Sequence, residues 1–154
     1  MSAEARLIEL GITLPPAPKE MGVYKLLVQT GNLGYLSGHG PFLDDGSLMK
    51  GRVGEDVSLE EAQNVARQVG LNLLATLKAQ LGSLDRVSKL VKSLALVNCT
   101  DDFTDQPAVV NGFSDLFAEV FGPEAGIGAR SAMGTNSLPG NIPVEIEIIV
   151  EIRD

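Results

Sequence analysis

Apolar residues recur at two different spacings along the chain, and each spacing predicts a different kind of element. From Ser58 to Leu81, apolar side chains return every three or four residues, and Gly82 follows the last of them. The run begins with SLEE, which has the form of a capping box, where a serine and a glutamate bond backbone amides of the first turn. The spacing predicts one long amphipathic helix over this range.

Two further helices are predicted from helical spacing. One begins near Pro107 and ends at Gly122, in keeping with the preference for proline in a first turn and glycine after a last one. The other is short, from Ser2 to Leu10, and a proline-rich segment follows it. We expect residues 1–20 to form an N-terminal helix and linker, and residues 21–154 to form the main domain.

Alternating and continuous apolar runs predict the strands. The segments LLVQT and LGYLSG flank the turn pair Gly31-Asn32 and are typical of a hairpin. The segment from Val87 to Val97 becomes apolar on both faces, as in a strand inside a sheet. A strand from Arg130 to Thr135 is separated from the strand that starts at Val144 by the turn signal Leu138-Pro139-Gly140. We expect these last two strands to pair with each other.

The order of elements predicts an α+β fold with one mixed sheet and both long helices on one face. This arrangement leaves the other sheet face without a helix. The strand from Val87 to Val97 places apolar residues on that face too. Monomeric proteins rarely leave such a patch in water, so we expect an oligomer whose contacts use the uncovered face.

Composition narrows the functions to consider. The 154 residues carry a net charge of −8 and no cluster of lysine and arginine, which argues against nucleic acid as a general partner. One cysteine and one histidine exclude an internal disulfide and a Cys/His zinc site within one chain. No long apolar run and no signal-peptide pattern is present, so we expect no membrane partner and a cytoplasmic location.

Several residues that suggest chemistry have simpler explanations. Gly38-His39-Gly40 lacks the third glycine of a dinucleotide-binding loop. We expect His39 to be a loop residue at the edge of a cleft. Cys99 follows an apolar strand and is typical of an unreactive core thiol. The acidic cluster from Asp101 to Asp105 precedes a helix, where carboxylates are favoured without any metal.

Arg130 and Glu145 form the main candidate site, because pairing of their strands would bring them close together. They could form an ion pair that aligns the strands, worth about 0–1 kcal/mol when exposed. Alternatively, the guanidinium could bind a substrate carboxylate while Glu145 orients a water molecule. Spacing alone favours the ion pair, because such pairs are common between adjacent strands.

Three motifs around this pair stand in a fixed order: Ala129-Arg130-Ser131, Leu138-Pro139-Gly140 and Val144-Glu145-Ile146-Glu147. Tyr24, Ser37-Gly38 and Val110-Asn111 precede them. This set resembles the Rid, or YjgF-like, reactive intermediate deaminases, historically also described as translation inhibitors or endoribonucleases. The resemblance extends from about Tyr24 to Glu151, and the family's interval of fifteen residues between arginine and glutamate is kept.

The resemblance implies a chorismate-mutase-like (YjgF-like) α+β domain that assembles as a homotrimer, with active sites in clefts between subunits. It also implies hydrolysis of small 2-imino and enamine acids, such as 2-aminoacrylate or 2-iminobutyrate, to 2-keto acids and ammonia. In this reading Arg130 binds the substrate carboxylate and Glu145 positions or deprotonates the attacking water. The residues implied to line the pocket are Tyr24, Ser37, Gly38 and Asn111. Because an imine carbon is already electrophilic, the reaction needs no metal, cofactor or covalent nucleophile.

The chain also departs from the family pattern. Ala132 stands where many members have a cysteine, and His39 stands where many have a glutamine. The N-terminal helix and its proline-rich linker are additions. An alternative to the enzyme is a regulatory or sensor protein that binds a small carboxylate without turnover. Ribonuclease activity has little support from the charge.

Overall fold

The two long helices of the computed structural model, which describes residues 1–154, begin and end where the sequence predicts. Helix α2 (Leu59–Leu81) has Ser58 at its N-cap, and the capping box with Glu61 is present in both directions. Gly82 ends the helix in the left-handed conformation, with φ of 83°. Helix α3 (Gln106–Phe121) carries a proline in its first turn and is followed by a glycine. Both predicted helices are confirmed.

One mixed sheet of five strands carries the rest of the fold. The strands are β1 (Leu27–Thr30), β2 (Leu33–His39), β3 (Val87–Asn98), β4 (Ala129–Thr135) and β5 (Val144–Ile152). They lie in the order β1-β2-β5-β3-β4, and only β3 and β4 run parallel. The predicted hairpin of β1 and β2 is confirmed, with Gly31 and Asn32 between the strands.

The predicted pairing of the last two strands is wrong. Strand β4 pairs with β3 in parallel, after the chain has crossed over through α3, and β5 enters the sheet between β2 and β3. Leu138-Pro139-Gly140 lies at a short 3₁₀ turn (Pro139–Asn141) and does not close a hairpin. The most apolar strand, β5, therefore gains a partner on both edges, whereas β4, with its exposed Met133 and Gly134, forms a sheet edge.

Both long helices pack on one face of the sheet, as expected. A single core cluster joins their apolar stripes to the alternate residues of β5 that point toward them: Val144, Ile146, Ile148, Val150 and Ile152. The two helices pack closely together at Gly112 of α3. A Cβ atom added there would lie 2.0 Å from the backbone oxygen of Gln63 in α2. Only a glycine allows the two helices to pack at this distance.

The opposite face of the sheet has no helix over it and carries apolar side chains. Tyr35, Met133 and Val28 are 43%, 48% and 51% exposed. Leu94 and Leu96 lie on the same face as Glu145, with which they line a small depression. The expected uncovered apolar face is therefore present, while assembly through it stays a prediction.

A short N-terminal helix, α1 (Ala3–Glu9), closes one end of the layer of helices. Ala3 and Leu7 belong to the core cluster, and Glu4 forms an ion pair of 2.7 Å with Lys78 of α2. A one-turn helix, α4 (Pro123–Gly126), links α3 to β4. None of the helices combines the length and apolar character needed to cross a membrane.

The close approach of α2 and α3 yields a prediction for Gly112→Ala. Alanine favours a helix over glycine by about 1 kcal/mol, but here its methyl group would overlap a backbone oxygen that cannot move alone. We expect the substitution to lower the free energy of unfolding by at least about 2 kcal/mol, measured by urea denaturation.

Gly70→Ala in α2 is the matched control. Its Cβ would lie 2.9 Å from Cδ2 of Leu116, the movable end of a side chain. We expect a loss below about 1 kcal/mol for this variant. Equal stabilities for the two variants would contradict the proposed role of Gly112.

Candidate active site

Strand β2 contains a bulge at Ser37 and Gly38. Between Leu36 and His39 the register with β5 shifts, because β2 contributes one residue more than β5. The Ser37 hydroxyl donates a hydrogen bond of 2.6 Å to the carbonyl oxygen of Lys25. A bulge bends its strand and takes the extra residue out of the regular ladder. The backbone at Ser37 and Gly38 is thereby shaped differently from the rest of the sheet.

Glu145 of β5 lies against this bulge. A Cβ atom on Gly38 would be 3.0 Å from both Cδ and Oε1 of Glu145, so glycine leaves the space that the carboxylate fills. The Glu145 side chain is half-buried. Burial raises its pKa above the ordinary 4.5, and the negative charge of Glu147 adds to the shift. A carboxylate with a raised pKa accepts a proton more readily, as a general base must.

A cavity of about 550 Å³ opens beside Glu145. The backbone N–H of Met21 donates a hydrogen bond of 3.1 Å to the Tyr24 hydroxyl oxygen, which orients the ring at the cavity. The remaining wall comes from the β2 bulge and from two loops with apolar side chains. The lining residues are Met21, Tyr24, Ser37, Gly38, Gly40, Phe42, Leu48, Pro139, Gly140, Ile142 and Glu145.

Two polar side chains of α2 hold the first of these loops in place. The Nδ2 group of Asn72 donates to the carbonyl oxygens of Gly40 and Phe42 at 3.1 and 3.0 Å. The Nε2 group of Gln68 donates to the same Phe42 oxygen at 2.7 Å. Asn72 is fully buried. Buried carbonyl groups need hydrogen-bond partners, and here Asn72 and Gln68 supply them. These contacts hold the part of the cavity wall that Gly40 and Phe42 form.

Asn98, the last residue of β3, holds the second loop. Its backbone N–H donates to the Pro143 oxygen at 2.8 Å. Its buried Nδ2 group contacts the Ile142 oxygen at 3.3 Å and Oδ1 of Asn141 at 3.2 Å. Asn72, Gln68 and Asn98 were not predicted from the sequence. An asparagine within the apolar run of α2, between Leu71 and Leu73, is a signal that could have identified the first of them.

Arg130 lies on β4, away from this cavity. Its Nη1 group donates to Oδ1 of Asn111 at 2.8 Å and to Oγ of Ser114 at 3.1 Å. Both partners belong to α3, and the guanidinium is half-buried beside the helix. Ser114 was not predicted from the sequence. These contacts orient the guanidinium without neutralising its charge.

Arg130 and Glu145 project from opposite faces of the sheet. Arg130 is opposite Ser93 of β3, while Glu145 is opposite Leu96 of the same strand. Ser93 is buried on the helix side, whereas Leu96 lines the depression on the uncovered side. Side chains alternate along a strand, so Ser93 and its partner Arg130 face one side of the sheet, while Leu96 and its partner Glu145 face the other. Neither the ion pair nor a shared site within one chain forms, and that prediction is wrong.

The predicted site residues therefore form two groups. Tyr24, Ser37, Gly38 and Glu145 surround the cavity. Arg130 and Asn111 contact each other at the edge strand. The sequence motifs located both groups but could not show that a single chain keeps them apart.

His39 is not at the edge of a cleft, contrary to expectation. It is 2% exposed and points into the core side of the sheet. Its Nδ1 lies 2.6 Å from the Ser37 carbonyl oxygen, which can only accept, so Nδ1 carries the proton. Nε2 then accepts a hydrogen bond of 2.8 Å from the hydroxyl of Thr76 in α2. Burial lowers the pKa of His39 below 6.5, against the opposing effect of the Ser37 contact.

The remaining candidates lie outside the cavity. Cys99 is a buried free thiol, which confirms the prediction of a core position. Ala132 lies two residues beyond Arg130 on β4, where an alternating strand points it to the same side as the guanidinium. No group of three or more histidine, cysteine, aspartate or glutamate side chains is placed to hold a metal ion.

Comparison with protein families gives a match over nearly the whole chain. The family described as YjgF/chorismate_mutase-like, whose description also carries the label endoribonuclease, matches residues 4–152. Protein TCP17 of Trypanosoma cruzi is 39% identical over 150 residues, which cover 97% of this chain and 94% of that protein.

One further relative has a named activity, and another has a solved structure. The 2-iminobutanoate/2-iminopropanoate deaminase of Dermatophagoides farinae is 32% identical over 143 residues, covering 92% of this chain and 95% of that protein. The crystal structure of Atu1372 from Agrobacterium tumefaciens, whose function is unknown, superimposes with a TM-score of 0.88 at 40% identity. That match covers 98% of this chain and 94% of the other.

The buried histidine yields a prediction about pH. An unfolded chain binds a proton at the ordinary histidine pKa of 6.5, whereas the folded chain resists protonation. Stability from this group is therefore present above pH 6.5 and is lost as the pH falls below it. We expect the free energy of unfolding to drop between pH 7.5 and 5.5 by more in the wild type than in His39→Gln, measured by urea denaturation.

The chain has a single histidine, which makes the assignment direct. Its ring proton resonances, followed by NMR, should titrate with a midpoint below 6.5. A midpoint at or above 6.5 would contradict the neutral, buried ring.

Proposed function

The chain belongs to the Rid/YjgF family, and from this premise we propose that it is a cofactor-independent hydrolytic deaminase of small reactive 2-imino and enamine acids. The products are the 2-keto acid and ammonia. The observation that carries the proposal is Glu145, a half-buried carboxylate with a raised pKa placed against a backbone bulge at the edge of a cavity. The deaminase name of the mite relative supports the same reaction class.

The reaction needs only a positioned water and a base. An enamine tautomerises to the imine by gaining a proton at carbon and losing one from nitrogen. Glu145 accepts a proton from water as the water oxygen bonds to the imine carbon, and it returns that proton to the nitrogen, which gives the neutral carbinolamine. Glu145 then takes the hydroxyl proton and delivers it to the amino group as the C–N bond breaks and the carbonyl forms, so one water enters and one ammonia leaves. Correct placement of water and substrate supplies most of the acceleration in such a step.

Arg130 is proposed to hold the substrate carboxylate. Its guanidinium is oriented by Asn111 and Ser114, both uncharged, so its positive charge remains available to an anion. A bidentate contact between guanidinium and carboxylate is charge-assisted and directional. The chain carries a net charge of −8, but salt screens the distant charges, so Arg130 can still bind a small anion at short range.

A homotrimer would bring the two groups of residues together. Within one chain, Arg130 and Glu145 lie on opposite faces of the sheet. The uncovered apolar face offers a surface for a second copy, and β4 is an edge strand that can approach it. In this proposal each cleft receives Tyr24, Ser37, Gly38 and Glu145 from one subunit, and Arg130 with Asn111 from its neighbour.

The first prediction concerns Arg130→Ala. Loss of the carboxylate contact should lower kcat/KM for a small imine by about 10- to 100-fold, since a charge-assisted bond contributes about 1.5–3 kcal/mol. The assay follows keto-acid release from an imine made in place by a dehydratase. Arg67→Ala is the control, because Arg67 pairs with Glu119 on the helical surface. Ligand-dependent thermal stabilisation without turnover in the wild type would instead select the sensor function.

The second prediction tests the shared cleft. Arg130→Ala and Glu145→Gln should each be at least about tenfold less active than the wild type alone, yet the two refolded together in equal amounts should regain about a quarter of the wild-type activity. With random assembly, about one cleft in four combines an intact Arg130 with an intact Glu145 from the next subunit. No recovery, with trimers formed, would show that both residues must come from one chain.

A further inference from the structure

The geometry points to a narrower substrate class: 2-imino acids that carry a bulky apolar side chain, of the size found in leucine, methionine or phenylalanine. This inference rests on the proposed function. It concerns the large cavity that extends beyond Glu145. A three-carbon imine can react beside Glu145 without filling that cavity.

The cavity beside Glu145 is large for a three-carbon acid. Its volume in the single chain is about 550 Å³, within the range of about 300–1,000 Å³ that is typical of pockets for drug-sized ligands. A three-carbon imine would leave most of this space to water against apolar walls. A branched or aromatic side chain would replace that water with contacts to Phe42, Leu48 and Ile142. Displacing poorly held water from apolar surface favours binding.

The position of Glu145 gives the direction in which the side chain points. Glu145 lines both the depression on the uncovered sheet face, with Leu94 and Leu96, and the large cavity. In the proposed assembly, Arg130 of the neighbouring subunit approaches from the uncovered face. The carboxylate, the nitrogen and the side chain are the three substituents of the planar imine carbon, so the side chain diverges from the carboxylate. With the carboxylate on the sheet side and the carbon beside Glu145, the side chain enters the large cavity.

The apolar wall is built by the same chain and is held in place. Asn72 and Gln68 fix the loop that carries Phe42. Asn98 fixes the loop that carries Ile142. Leu48 lies between the loops, within 3.5 Å of where a Cβ of Gly40 or Gly140 would be. These hydrogen bonds all lie within one chain, so the apolar wall is formed without help from another subunit.

The test compares imines generated in place from a series of amino acids by an amino-acid oxidase with catalase present. Alanine and 2-aminobutyrate give the small imines, and leucine, methionine and phenylalanine give the large ones. We expect kcat/KM to be at least about tenfold higher for the leucine imine than for the alanine imine, because apolar groups in a fitted pocket discriminate by about that factor or more. Equal or higher values for the small imines would overturn the substrate class and leave the deaminase intact. Acceleration of none of them would overturn the proposed function itself.

Leu48→Trp places a larger ring in the cavity and should lower the ratio of leucine to alanine kcat/KM by about tenfold or more. Leu59→Trp is the matched control, because Leu59 is 37% exposed at the start of α2, outside the cavity lining, and should leave the ratio unchanged. An unchanged ratio in a folded Leu48→Trp protein would overturn the assignment of the wall.

A second measurement needs no variant. The 2-oxo acid products should bind the wild type with affinities that follow side-chain size, measured by calorimetry. We expect Kd for 4-methyl-2-oxopentanoate to be at least about tenfold below that for pyruvate. A Kd for pyruvate equal to or below that for the larger acid would contradict the apolar side-chain site.

Discussion

The pairing of β3 with a different strand on each side determines where the functional side chains of this protein lie. Strand β3 runs parallel to β4 and antiparallel to β5, and its alternate residues face the helices or the uncovered side. Through this register, Arg130 faces α3 and Glu145 faces the other side of the sheet. A shift of one residue in either pairing would turn over the shifted strand and place Arg130 and Glu145 on the same face. For β5 such a shift would also bring Glu145 and Glu147 to the core side in place of the buried apolar residues, which strongly disfavours it.

Local signals in the sequence predicted the elements well. The capping box at Ser58 and the turn pair Gly31-Asn32 act within a few residues, and the structure keeps both. The order of the strands was harder to predict because it depends on contacts between distant segments. Leu138-Pro139-Gly140 signals a turn, but nothing in it shows that β5 passes beside β3 and leaves β4 at the edge.

For the candidate site, too, local motifs were predicted correctly and contacts between distant segments were not. The motifs located Tyr24, Ser37, Gly38 and Glu145, which meet around one cavity. His39 was placed wrongly, because the bulge in β2 decides which way its ring points and a bulge has no clear pattern in the sequence. The asparagine side chains that hold the loops were missed as well. Each bonds main-chain carbonyls, which every residue has, so the partner leaves no trace in the sequence.

The segment that connects α1 to the cavity affects which changes of chain length the protein can tolerate. Ala3 and Leu7 anchor α1 in the core, and the chain then runs on to Met21 and Tyr24 at the cavity. Residues 15–20 between these fixed points include no member of the core cluster. Insertions or deletions in such a connection have small effects on stability, but here they would move the rim of the cavity. A change of length in this segment is therefore a way to alter which ligands fit the cavity while the sheet and its register stay intact.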